Sequence, residues 1–225
     1  MSSIDHEDDS TLQTPQDADE KDGEESTSFD LELTVNKIDD LIRLPNRDFK
    51  PERESRYGFK PLDSGQRAQL RRIEPQSPFT PALWHVLFEV DHDEAPGWWK
   101  HRENTTESEW ERRWASLLQA MTMCQGQHQP NVYSGPDTRL GKVLADVAWA
   151  EMRFVRLMES RKRELEIQVR HMAQYIAGTG ESLDWADVGK LLFFQRGDAA
   201  QNIRVGISRA YYGRRQVLEQ EAEQD

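Results

Sequence analysis

The residues in this sequence that could do chemistry are mostly cationic. Arg153, Arg156, Arg161, Lys162, Arg163 and Arg170 crowd into one short segment, with His171 beside them, Lys142 upstream and Arg196 downstream. Guanidinium and ammonium groups at this density suit the phosphates of a nucleic acid, which they neutralise and position without reading sequence. A second basic pair, Arg71 and Arg72, stands beside Leu70 and Ile73, so at least one of the two should reach solvent. Other chemistries are poorly supplied. Asp91, His92, Asp93 and His101 could in principle ligate a metal, but they lack a recurring ligand spacing. Asp91, Asp93 and Glu94 form the only local carboxylate cluster that a metal-dependent nuclease could use. Cys124 is the single cysteine, which excludes an internal disulfide and a multi-cysteine zinc site. With no His and acid pair recognisable around it, it reads as a small packed apolar residue. His85 lies in an apolar run and is expected as a satisfied core or edge histidine. Gly178-Thr179-Gly180 is a turn, since two glycines alone do not make a phosphate loop. No catalytic constellation emerges, and no cofactor is expected.

Helices must position the basic residues. Leu140, Leu144, Val147, Phe154 and Met158, then Leu165, Val169, Met172 and Ile176, recur in steps that put them on one face of a 3.6-residue helix. The seam is interrupted at MESRKRE, so a break is predicted near Ser160, with Gly178 as the C-terminal stop. Asp137 or Thr138 should cap the first of these helices. Upstream, LELTVNKIDDLIRL is a short amphipathic helix ended by Pro45, and Asp63 or Ser64 caps a helix through Ile73. Thr80-Pro81 starts another through ALWHVLFEV. Trp110, Trp114, Leu117, Leu118 and Met121 mark a further helix. Downstream, Asp184 caps a helix bearing Trp185, Val188, Leu191, Leu192 and Phe194, which Gly197 ends. Asp198 then caps a last helix carrying Ile203, Val205, Ile207, Tyr211 and Val217. Trp98 and Trp99 sit in a polar loop and suit a partner contact. No strand pattern of comparable length is present, so the body is all-α.

The whole-chain charge of −12 conceals a segregation. Residues 1–30 hold eleven acids against one lysine, and residues 216–225 hold four acids and no base. Residues 139–215, by contrast, carry fourteen Lys or Arg against nine acids. The first stretch has almost no large apolar side chain, so it cannot offset about 1–2 kcal/mol of backbone entropy per residue, and disorder is expected. It reads as a solubilising tail, or more sharply as an acidic mimic that competes with nucleic acid for the basic face. The expected organisation is a disordered acidic tail over 1–30, an N-terminal helical region over 31–134, a C-terminal helical bundle with a basic face over 135–218, and an acidic tail over 219–225. No apolar run approaches the roughly 20 residues needed to span a bilayer, and the acidic start lacks a signal-like apolar core. No membrane partner is expected, and the default location is a reducing cytoplasm, where the acceptor-like Asn104-Thr105-Thr106 carries no meaning.

Several pieces, in order, resemble the small subunit of the type I-E CRISPR surveillance complex, the CasB family of Cascade. They are Ala68-Gln69-Leu70-Arg71-Arg72, Leu140-Gly141-Lys142 with Leu144-Ala145, Glu151 to Leu157, Val169-Arg170-His171, Leu183-Asp184-Trp185 and Leu192-Phe193-Phe194. The resemblance spans about residues 64 to 212. It implies an all-helical protein of two small bundles, present as two copies along the belly of the complex and without catalytic activity. The implied partners are the other Cascade subunits and guide RNA, the guide–target hybrid, the displaced single-stranded non-target DNA, and a second copy of the chain. No small-molecule substrate is implied. The family's basic positions on the two long helices fall on Arg153, Arg156, Arg161, Lys162, Arg163 and Arg170, and a basic turn falls on Arg196. Two departures stand out: Glu159 and His171 occupy positions that look basic in the family. The acidic extension and the stretch around 91–108 have no counterpart in shorter members. The alternative is a helical protein–protein adaptor that works through its tryptophans and acidic tails without nucleic acid.

Overall fold

Apart from an isolated bridge between Glu74 and Ser77, all regular structure among the described residues is helical. The computed structural model describes residues 31–42, 57, 59–78, 80–90, 106–124 and 138–224. Its helices are α1 (Leu31–Ile42), α2 (Ser64–Arg72), α3 (Pro81–Val90), α4 (Glu107–Cys124), α5 (Leu140–Asp146), α6 (Glu151–Glu159), α7 (Lys162–Ala177), α8 (Trp185–Phe193) and α9 (Gly197–Ala222). Trp98, Trp99, the possible ligands Asp91, His92, Asp93 and His101, and the acidic stretch 1–30 lie outside the described residues.

The helix α7 packs mainly against α4, with smaller contacts to α6 and α8. In turn α4 carries α2, while α1 lies against α8 and α9 runs along α5. Leu165, Val169, Met172, Ala173 and Ile176 on α7 are all buried, the i, i+4, i+7, i+8, i+11 stripe that its spacing demands. Fully burying each large aliphatic side chain contributes about 1.5–3 kcal/mol relative to exposure, so this stripe anchors the helix. From α4, Trp110 and Trp114 close on Phe193 of α8 at 4.7 and 4.5 Å between ring centroids. Trp185 is buried, as its place in the apolar repeat predicts. The buried apolar side chains of all nine described helices form one continuous core.

Local signals explain most boundaries. Asp63 accepts from the Gln66 amide at 2.7 Å, and the Gln66 side chain accepts from the Asp63 amide at 2.9 Å, a reciprocal box that starts α2. The Asp184 carboxylate accepts from the Ala186 amide at 2.9 Å and starts α8. The chain breaks at Ser160 as expected. Gly178 ends α7, but in a right-handed conformation, with Thr179 Oγ1 donating to the Ile176 carbonyl at 2.8 Å.

Five expectations fail, most of them for tertiary reasons. The seam from Leu140 to Met158 is not one helix: it turns at Val147 and Ala148, the latter at φ 54, and restarts at Glu151. Carbonyls freed by this turn are taken up from elsewhere, Val147 O by Tyr175 Oη at 2.8 Å and Trp149 O by Tyr211 Oη at 2.6 Å. Thr138 does not cap α5. The N-cap is Arg139, and the Leu140 amide donates to Asp187 Oδ2 on α8 at 3.2 Å. Asp198 does not cap α9 either; it stands inside the first turn, behind an Arg196 N-cap without a side-chain bond. Finally, His85 is exposed, as is Phe88, because the buried face of α3 is made by Ala82, Leu83, Val86, Leu87 and Val90. Val205 and Val217 also reach solvent rather than the core of α9, where Ala200, Ile207 and Tyr211 are buried.

Candidate nucleic-acid interface

The junctions α6–α7 and α8–α9 meet to form an open cleft of about 520 Å³. Four arginines line it, Arg161, Arg196, Arg204 and Arg209, together with Gln195, Gln201, Ser208, Val205 and Tyr212. No carboxylate is among these lining residues. The α9 side is a helical stripe: Gly197, Gln201, Arg204 with Val205, Ser208 and Tyr212 recur in steps of three and four.

The four guanidiniums do different work. Arg161 Nη1 donates to the carbonyls of Met158, Glu159 and Ser160 at 2.8–2.9 Å. Arg204 Nε donates to Met158 O at 2.9 Å and its Nη2 to Ser160 O at 3.4 Å. Two cations therefore cap the carboxyl end of α6, where the orphan carbonyls and the helix dipole favour positive charge. Burial and then the neighbouring Arg161 push Arg204 down to about 10, so Arg204 stays charged at neutral pH. Arg196 and Arg209 make no hydrogen bond or ion pair with the protein among the described residues and face the cleft with their donors free. Lys162, at φ 50, is held in the left-handed region by the Gln195 side chain, whose Oε1 accepts from the Lys162 amide at 2.6 Å. Both α7 and α9 start behind an arginine N-cap with no side-chain acceptor, so the amino ends of two helices add positive potential here. Glu164 and Asp198 in their first turns offset part of it.

Of the residues predicted from sequence, the cleft brings together Arg161 and Arg196, with Lys162 beside them. Arg163, Arg170 and His171 lie on the exposed stripe of α7. Arg153 and Arg156 are exposed on α6. Arg153 lies 5.4 Å from the ring centroid of buried Trp149. Arg156 forks onto Glu164 Oε1 at 3.1 and 2.8 Å, which ties α6 to α7 and uses part of its charge. Hydrogen bonds from Gln168 and then Arg156 hold the Glu164 carboxyl below its ordinary range. Lys142 is half-buried on α5. Arg71 and Arg72 stand apart at the end of α2, where Arg71 Nε donates to the Thr122 carbonyl at 2.9 Å near the end of α4. Arg204, Arg209 and Tyr212 escape the sequence reading, which followed only the apolar repeat of α9. Their signal was the second, polar stripe on the same helix.

Cys124 is buried, donates to Ala173 O at 3.2 Å, and is pushed up to about 12 by burial. Among the described residues no group of three or more His, Cys, Asp or Glu could hold a metal ion. No described helix is long and apolar enough to cross a membrane.

No curated protein and no solved structure matches the chain. The family model for CRISPR-associated protein Cse2 does match, over residues 66–212. That span runs from within α2 through α8, the Arg161–Arg196 cleft and α9 as far as Tyr212, and on this match the chain belongs to the Cse2 family, the small subunit of type I-E Cascade.

Proposed function

We propose that this subunit holds nucleic acid within the surveillance complex, stabilising the R-loop through contacts to the guide–target hybrid and the displaced non-target strand. The observation that carries the reading is the arginine-lined cleft with no carboxylate among its walls; Arg163 and Arg170 on α7 and Arg153 on α6 are exposed besides. A guide–target hybrid is about as stable as the DNA duplex that it replaces, so modest backbone contacts suffice to tip the exchange. Sequence is read by base pairing, and the subunit needs only to follow phosphates. The family is a non-catalytic structural subunit, in keeping with a surface that positions rather than reacts. Met152, 87 % exposed, and Val155 on the same side of α6 suit contact with a neighbouring subunit, or with a second copy of the chain.

The test is target-DNA binding by the assembled complex with wild-type subunit and with Arg153, Arg156, Arg163 and Arg170 all changed to Glu. The variant subunit should still co-purify and fold, while R-loop lifetime shortens. Neutralising six phosphates on a single strand gives a log–log salt slope near −4, at about 0.7 per contact. An unchanged lifetime would sink the assignment of this face. A subunit that joins the complex but leaves DNA binding salt-independent would favour the pure adaptor reading.

A further inference from the structure

We infer that the cleft is a seat for one nucleotide step of a single strand: Arg196 and Arg209 hold a phosphodiester and the Tyr212 ring stacks the adjoining base. The inference rests on the nucleic-acid reading above and assigns roles within it. Arg161 and Arg204 are committed to the α6 carbonyls, so they supply fixed charge but few open donors. Arg196 and Arg209 line the same walls without a protein partner among the described residues. A guanidinium with an empty fork is suited to two oxygens of one phosphate.

The tyrosine makes the site selective for strand form. Tyr212 is 43 % exposed and lines the cleft. Its hydroxyl donates to Glu151 Oε1 at 3.1 Å, and its ring meets Phe154 and Tyr211 edge-to-face at 5.9 and 5.3 Å. These contacts hold the ring in place before any ligand arrives. Desolvation and then the bond to Glu151 raise its phenol above the ordinary value, so it stays neutral. A held aromatic at the mouth of a cationic cleft can stack a base of any identity, provided that the base is unpaired. A duplex keeps its bases stacked on each other and can offer only phosphates.

The experiment uses the full chain, alone and within the assembled complex, and an oligothymidine, the same oligomer with abasic sites, and a duplex of equal length. Tyr212→Leu should weaken oligothymidine binding about tenfold, from the loss of one base–aromatic stack, and leave abasic and duplex binding unchanged. Tyr212→Phe keeps the ring and should bind as the wild type does. Arg196→Gln with Arg209→Gln should weaken all three ligands and flatten the salt slope by about 0.7 on the single strands and about 0.9 on the duplex, the share of one phosphate. These positions are exposed or at the rim, so the variants should fold, which circular dichroism verifies. If wild-type protein binds single strands and Tyr212→Leu binds equally well, the stacking seat is wrong while the nucleic-acid reading stands. If neither chain nor complex loses affinity when the two arginines go, the cleft is not the phosphate seat. If no single strand binds under any condition, both readings fall together.

Discussion

Glu166 is buried on α7 with one carboxylate oxygen bonded to Arg112 Nε of α4 at 2.8 Å and the other, Oε2, without a hydrogen-bond partner. Burial raises its carboxyl above the ordinary 4.5, and the Arg112 bond only partly reverses this. A buried pair of this kind is worth little net, because desolvation cancels much of the attraction. Its pH signature follows from linkage. The folded state holds the proton more tightly than the unfolded chain, so stability rises as pH falls through the raised value and levels off below 4.5. Urea midpoints for the wild type and Glu166→Gln, measured from pH 7 down to pH 4, test it. The wild type should gain on the variant as the pH drops through that window. A constant gap between the two curves would mean that Glu166 titrates alike in both states.

At the scale of elements, the tightest contact is α5 against α9. Gly141 lets the two backbones touch: a Cβ there would run into the Ile207 carbonyl oxygen and lie 2.8 Å from the Tyr211 nitrogen. Backbone atoms cannot rotate out of the way, so Gly141→Ala must push the helices apart. We expect a loss at the upper end of the about 1–3 kcal/mol seen for overpacking, measured by denaturant midpoint. Hydrogen exchange should rise first in residues 140–146 and 205–211. A variant that melts with the wild type would show that α5 can shift at no cost. The same junction shows how much was legible in the sequence. The apolar repeats fixed the faces of α1, α4, α7 and α8, and Asp63, Pro81 and Asp184 marked starts, because these signals are local. The turn at Ala148 carries no Gly or Pro, and its freed carbonyls are met by Tyr175 and Tyr211, from 28 and 62 residues away. The cap on Leu140 likewise comes from Asp187, on another helix. Of the basic face, Arg161 and Arg196 could be picked out as cations in turns. That they converge with Arg204 and Arg209 depends on two inter-helix junctions meeting, which no periodicity encodes.

For the whole molecule the governing quantity is how charge is divided along the chain. Residues 139–215 hold the excess of base, while residues 1–30 hold eleven acids and one lysine. A net charge of −12 repels a polyanion at long range even when the contact surface is cationic. Removing residues 1–30 leaves a net charge of −2, with the cleft and its flanking arginines intact. At about 0.01 M salt the Debye length is about 30 Å, comparable with a small domain, so the whole charge is felt; at about 0.15 M it is about 8 Å. The truncated chain should therefore associate with an oligothymidine at least about tenfold faster at low salt, within the range of electrostatic steering. That advantage should fade as salt approaches about 1 M, where the Debye length is about 3 Å. Stopped-flow association across this salt series distinguishes the mechanisms. A gain that disappears with screening marks the acidic stretch as a long-range charge. A gain that persists at high salt means that it occupies the basic face by direct contact and competes with the strand for it. No gain at any salt would show that the cleft recruits its ligand indifferently to the charge of the rest of the chain.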